Sequence, residues 1–356
     1  MAWKDVSIVD ARVSFVADHA KGLMSMTELC LAYGVSRQTG YTWLGRARAG
    51  ESLHDRSRAP HRCPHRTDVA LQRAVVAERV KHPTWGPDKI RRVLSVRHPG
   101  KAWPSSTTLG AILKRHGLVT PRRRRRAIDQ ARPTPPRVEA ACANDVWCSD
   151  FKGQFRLGNR RYCYPLTVSD MHSRYLLGCQ GLDCTRVDPS REVFERLFFE
   201  YGLPSVMLTD NGVPFATRAL GGLSSLSVWW MRLGITPVTI QPGKPQQNGR
   251  HERMHRTLKA HTARPPGRSM ADQQSRFDCF RHEYNHERPH AALDLDVPAS
   301  HYASSPRAMP DRLPEPDYPG HFEVRRVRPN GCMKWRGRER FLSEVLAGES
   351  VGLEEV

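Results

Sequence analysis

Residues 147–157 read WCSDFKGQFRL. Apolar and polar side chains alternate. Trp147, Phe151, Phe155 and Leu157 fall on one face, and Cys148, Asp150, Lys152, Gln154 and Arg156 on the other. A period of two is the mark of a strand packed on one side. Its polar face holds a difficulty, because a carboxylate in mid-strand needs a partner or a cation. The segment therefore predicts a sheet and, at Asp150, something for that sheet to hold.

Working outward, the rhythm recurs. Gly158-Asn159 is a turn, and RYCYPLTVSD (161–170) and RYLLGCQGL (174–182) read as two more strands of an antiparallel meander. PSREVFERLFFEYG (189–202) is an amphipathic helix opened by Pro189 and closed by Gly202. SVMLTD (205–210) is a short buried strand. Residues 216–233 predict a helix, weakened by Gly221-Gly222. GITPVTI (234–240) is a fifth strand, which Pro237 confines to an edge. Helices follow near 248–262 and 270–287. This order describes a central α/β core (141–300) around a mixed five-stranded sheet.

The residues before it are helical. MTELCLAYGVSRQTGYTWLGRAR (26–48) gives one helix capped by Thr27, a turn at Gly34, and a second helix capped by Ser36. That is a helix-turn-helix pattern within residues 1–50. Arg37, Gln38, Tyr41 or Thr42 would face base edges. A basic linker (51–66) leads to a second such module (67–120), winged or not. Its helices run from Asp68 to Lys81, from Pro87, and from a Ser105 or Ser106 cap to Gly117. Residues 121–140 hold five consecutive arginines and then Pro-rich sequence, a linker or arm whose Arg122, Arg123 and Arg124 suit phosphates. Beyond the core, 301–320 reads as another linker. Residues 321–356 read as a small β module with a hairpin at Asn330-Gly331, stopping where a further strand or two would be expected.

The net charge is +20. Residues 1–140 carry 27 basic and 11 acidic side chains, and the remainder 29 and 25. A basic N-terminal part on a near-neutral body implies a polyanionic partner, and double-stranded DNA fits two helix-turn-helix modules. With no apolar run near 18 residues and no signal segment, a membrane role is not expected. Nine cysteines without a Cys-x-x-Cys pair suggest free thiols in a reducing cytoplasm. His54, His61, Cys63 and His65 bunch together, but the run reads better as linker than as a zinc site.

Two further acids stand out. Asp210 ends a strand, just before Asn211-Gly212, and strand ends are where ligands bind in open α/β sheets. Its plainer reading is an Asx turn. Glu252 is the acid within QPGKPQQNGRHERMHRTLK (241–259), whose two histidines add possible positive charge. On a helix, Glu252 lies about 200° and 240° from Met254 and Leu258, facing away from their stripe, with Arg256 and Lys259 on its own side. Three converging carboxylates would repel one another. Two Mg²⁺ would relieve that, with Mn²⁺ a substitute, and a metal pair suits in-line displacement at phosphorus.

SDFKG (149–153), TDNGVPF (209–215), QPGKPQQNGRHERMHRTLK and YNHERPHAAL (284–293) together closely resemble the integrase-core transposases of bacterial insertion sequences. The resemblance covers nearly the whole chain. It implies an RNase H-like core, with Asp150, Asp210 and Glu252 as metal ligands. It implies cleavage at terminal inverted repeats, direct joining of the 3′-OH to target DNA, and at least a dimer on DNA. Lys244, Arg250, Arg256 and Lys259 would position phosphates. Glu252 follows Asp210 at more than the usual distance, and the extra length is expected in GGLSSLSVWW (221–230). Glu195 and Glu200 are weaker alternatives for the third acid, and Asp170 reads as a turn residue. A non-catalytic DNA-binding regulator and a metal-dependent nuclease are the competing functions.

Overall fold

The computed structural model describes residues 7–58, 66–119 and 138–354, apart from positions 218, 243, 245, 246 and 248. Arg122, Arg123 and Arg124, and with them His61, Cys63 and His65, lie outside the described residues. The chain forms two units, divided after Arg66.

The first unit is three helices: α1 Ile8–Lys21, α2 Met26–Ala32 and α3 Arg37–Arg48. Phe15, Leu29, Cys30 and Leu44 form their core. The cap of α2 is Ser25 and not Thr27. Ser25 and Glu28 exchange bonds in a capping box, which satisfies two backbone donors where Thr27 would satisfy one. Gly34 takes the left-handed turn (φ 64°) and Ser36 caps α3. Gly40 lies against the core so closely that an added Cβ would sit 2.7 Å from Cys30 Sγ.

The second unit opens with α4 Val69–Lys81, α5 Pro87–Arg97 and α6 Ser106–Arg115 around Trp85, Ile90, Leu109 and Ile112. Among the described residues up to 119 no strand accompanies them, so no wing is seen there. Next come β1 Val146–Phe151, β2 Phe155–Arg156, β3 Tyr162–Asp170, β4 Leu176–Leu182, α7 Val187–Tyr201, β5 Val206–Thr209, α8 Ser225–Arg232, β6 Thr236–Thr239, α9 Gly249–Thr262 and α10 Met270–His282. β1 pairs antiparallel with β3 and parallel with β5, β3 pairs antiparallel with β4, and β5 pairs parallel with β6. The sheet is mixed, as expected, with β6 at an edge, but it has six strands.

The sixth arises because 147–157 is not one strand. Gly153 takes φ 79° and breaks it. β2 continues alone along β3, and the break moves its side chains across the sheet. Trp147 and Phe151 pack with α7 and α8. Phe155 and Leu157 join Met254, Leu258, Phe277 and Phe280 in the opposite layer. Both faces are thus covered, with fully buried Trp147, Phe194 and Trp230 dominating the first layer. Each such side chain contributes about 1.5–3 kcal/mol of transfer free energy.

Other expectations shift locally. α7 begins at Val187, ahead of Pro189. The helix expected over 216–233 shrinks to α8, because Gly221 and Gly222 adopt positive φ and Ser224 supplies a fresh cap. Within 221–230, Trp229 and Trp230 belong to the core. At the C-terminus, β7 Glu323–Arg326 pairs with β10 Ser350–Leu353, and β8 Cys332–Trp335 with β9 Arg338–Phe341. The expected turn at Asn330-Gly331 is present: the Arg328 amide donates to the Cys332 carbonyl at 2.7 Å, the Gly331 amide to the Arg328 carbonyl at 2.9 Å, and Gly331 has φ 75°. A second, tighter hairpin lies at Arg336-Gly337. Arg336 and Gly337 both have positive φ (48° and 76°) and link directly paired Trp335 and Arg338, as a two-residue hairpin loop requires.

Candidate active site

Strand register assembles the site. Ser149 on β1 is level with Thr209 on β5, and the strands are parallel. The next residues, Asp150 and Asp210, therefore emerge side by side at the carboxyl ends of neighbouring strands. β1 lies between antiparallel β3 and parallel β5, and ligands bind at such strand ends in open α/β sheets. Cys148 and Leu208, two residues earlier, share one apolar cluster, so Asp150 lies on the face opposite Trp147.

α9 crosses that face. His251, Met254, His255 and Leu258 are buried, whereas Glu252, Arg256 and Lys259 are exposed. Asp150 has its carboxyl pushed up to about 7, first by burial, then by the charge of Asp210 and, more weakly, that of Glu252, while Lys152 pulls the other way. Asp210 and Glu252 thus both act on Asp150, from elements far apart in sequence. Among the described residues, no three His, Cys, Asp or Glu side chains stand close enough to hold an ion as they are. The donor set nonetheless fits a hard divalent ion, because it consists of carboxylate oxygens whose mutual repulsion lacks a full counter-charge.

Asp210 also makes the Asx turn: its Oδ1 accepts from the Gly212 amide at 3.0 Å, and Asn211 Nδ2 donates to the Ile240 carbonyl at 2.9 Å. The turn fixes the carboxylate through Oδ1. Asp170 is a structural acid. It is buried and accepts from the Asn144 amide, the Ser173 amide and Ser173 Oγ at 2.6–2.9 Å. Glu195 and Glu200 sit on α7, in the layer across the sheet.

His251 and His255, the two histidines of 241–259, do not add positive charge. His251 and His255 are both 2% exposed. Burial, reinforced by Lys152, pushes His251 down to about 3, and burial and the His251 ring push His255 lower still. Thr167 Oγ1, on β3, lies 2.7 Å from His251 Nε2 and 2.6 Å from His255 Nε2, and donates to the Asp150 carbonyl at 3.0 Å. Ser169 Oγ lies 3.0 Å from His251 Nδ1. One proton assignment satisfies these bonds: both rings donate from Nε2 to Thr167, and Ser169 donates to His251 Nδ1. His255 Nδ1 then faces Asp150 Oδ2 at 3.7 Å. Sequence reasoning passed over this network, although the i, i+4 spacing of His251 and His255 on the Met254 side was a signal for it.

The remaining candidates are dispersed. Arg37, Gln38 and Thr42 are exposed on α3 in the first unit, and Thr42 Oγ1 donates to the Gln38 carbonyl at 2.8 Å. Lys244 and Arg250 are exposed near the start of α9. The described cysteines are free thiols. No helix among the described residues is long and apolar enough to cross a membrane.

Residues 140–245 and 233–298 match two integrase core domain families. Residues 39–113 match a homeodomain-like domain and 11–61 a helix-turn-helix domain. The chain is 29% identical over 210 residues to the 31.7 kDa protein of insertion element IS407 of Burkholderia multivorans, covering 56% of this chain and 69% of that one. It is 26% identical over 209 residues to the 39.2 kDa protein of insertion element IS476 of Xanthomonas euvesicatoria, covering 57% and 56%. A solved structure of the HTLV-2 integrase catalytic core domain in complex with magnesium, in trimeric form, aligns with a TM-score of 0.37 at 13% identity, over 46% of this chain and 100% of that one. At that score the likeness carries no argument.

Proposed function

Because this chain carries an integrase core of RNase H-like fold behind helix-turn-helix domains, and is homologous to insertion-element proteins, we propose that it is a DNA transposase. The observation that carries the reading is the β1–β5 register, which sets Asp150 beside Asp210, together with the charge of Glu252 acting on Asp150. In this reading Asp150, Asp210 and Glu252 hold two divalent ions, Mg²⁺ or Mn²⁺. Bound there, such ions supply charge neutralisation and activation of an attacking oxygen at phosphorus.

The chain's own residues do the rest. Thr167, His251 and His255 fix the strand that carries Asp150. Arg37, Gln38 and Thr42 read base edges in the terminal inverted repeats. Lys244, Arg250, Arg256 and Lys259, with Arg122, Arg123 and Arg124, hold phosphates in register. Hydrolysis at the element end frees a 3′-OH, which then attacks a phosphodiester of target DNA. The second step exchanges one P–O bond for another and needs no outside energy source. Joining two ends requires at least a dimer on DNA.

The test supplies DNA from the ends of the element and Mg²⁺ to the wild type and to Glu252→Gln. The variant is expected to bind as the wild type does but neither nick nor join. Full strand transfer by Glu252→Gln would remove Glu252 from the site. A wild type that nicks without joining would identify a nuclease.

A further inference from the structure

A cavity of about 480 Å³ lies in the second unit between α5, the β3–β4 turn, α9 and the 284–292 segment. Six cations line it: Lys89, Arg174, Arg250, Arg253, Arg256 and Arg288, with no carboxylate in the lining. Like charges gathered in a half-buried space oppose one another unless an anion joins them. Burial, and then Arg288, push Lys89 down to about 8, and the guanidinium groups of Arg174 and Arg288 also fall below their usual range, chiefly through burial.

Two further residues of the lining bear on the same space. Arg174 holds a left-handed backbone (φ 66°), where glycine would be less strained, yet carries a long cationic side chain to the wall. His290, also in the lining, has its Nε2 buried with no hydrogen-bond partner among the described residues. Burial pushes this ring down to about 3, so it is neutral. The neutral ring gives its one proton to the Tyr284 carbonyl, so the donors for phosphate oxygens are the six cations.

We propose that this pocket takes a backbone phosphate of duplex DNA and thereby ties the second helical module to the catalytic helix. Lys89 comes from that module, and Arg250, Arg253 and Arg256 come from the helix that bears Glu252. DNA seated on the module is thus led to Asp150, Asp210 and Glu252. The inference rests on the transposase reading but assigns Lys89, Arg174, Arg253 and Arg288 a role that this reading does not require.

The test uses the full chain, a labelled duplex of arbitrary sequence, and the variants Lys89→Ala, Arg174→Ala and Lys89→Arg. Removing one of several crowded cations is expected to leave the melting temperature of the free protein unchanged or raised. Affinity for the duplex at physiological salt should fall roughly tenfold for each alanine variant. The slope of log K against log salt should shrink by about one for each. Lys89→Arg, which keeps the charge, should retain the slope. A role in folding alone would instead lower the melting temperature and leave the slope intact. If the wild type binds the duplex and both alanine variants match it in affinity and slope, the pocket is not a DNA site, although the transposase reading stands. A wild type that binds no duplex at all overturns that reading itself. Thermal protection by inorganic phosphate equal to that by duplex would make the pocket a free-anion site and defeat the proposal.

Discussion

Asp150 shows how a single residue can be costly to the fold. Its carboxyl is raised from the ordinary range to about 7 in the folded chain. At low pH it is protonated in both states and contributes no difference. As pH rises past the usual aspartate value, the unfolded chain ionises first. Stability therefore declines with rising pH until the folded carboxyl ionises near 7, and the full cost remains above that. The cost is on the order of a few kcal/mol. Asp150→Asn removes it. In urea unfolding across a pH series, the variant should match the wild type near pH 4 and exceed it increasingly up to pH 7–8. Equal stability at every pH would mean that Asp150 is neither buried nor crowded by like charge in the folded chain. The alternation in WCSDFKGQFRL was enough to single this residue out, because a lone acid in an apolar strand is anomalous from sequence alone.

At the scale of elements, the docking of α9 on β3 decides whether Glu252 faces Asp150. The Met254–Leu258 stripe was legible, and so was the outward direction of Glu252. The buried polar half of that interface was not. Histidine reads as polar in a helical pattern, and only the opposing Thr167 and Ser169, some 80 residues earlier, make its burial affordable. Thr167→Val should leave two ring N–H groups without an acceptor and destabilise the chain by about 2 kcal/mol, measured as a shift in denaturant midpoint. A loss below a few tenths of a kcal/mol would show that the network does not hold α9. The break at Gly153 was illegible for a similar reason. Alternation continued in the letters on both sides of it, and only the left-handed backbone shows that the faces exchange. The Asn330-Gly331 turn was legible from its Asn-Gly pair, whereas the second turn, at Arg336-Gly337, was not, because an arginine with positive φ leaves no such signal.

For the whole molecule, the sequence order of elements was sufficient to give a mixed α/β sheet with helical modules ahead of it. The proposed convergence of positions 150, 210 and 252 comes from the resemblance and from the rule that ligands gather at strand ends, not from any local pattern. Contacts of the second helical module with the core could not be read at all. They rest on pairs about 200 residues apart, such as Arg92 with Asp296 at 2.6 Å and His82 with Glu283 at 3.0 Å, and polar pairs at that separation leave no local pattern. The central claim is that three distant acids hold divalent ions in common. A calorimetric titration of the full chain with Mn²⁺, repeated on Asp150→Asn, Asp210→Asn and Glu252→Gln, tests it most directly. Saturable uptake by the wild type, weakened at least roughly tenfold by each substitution, is the predicted result; equal uptake by all four proteins would contradict it.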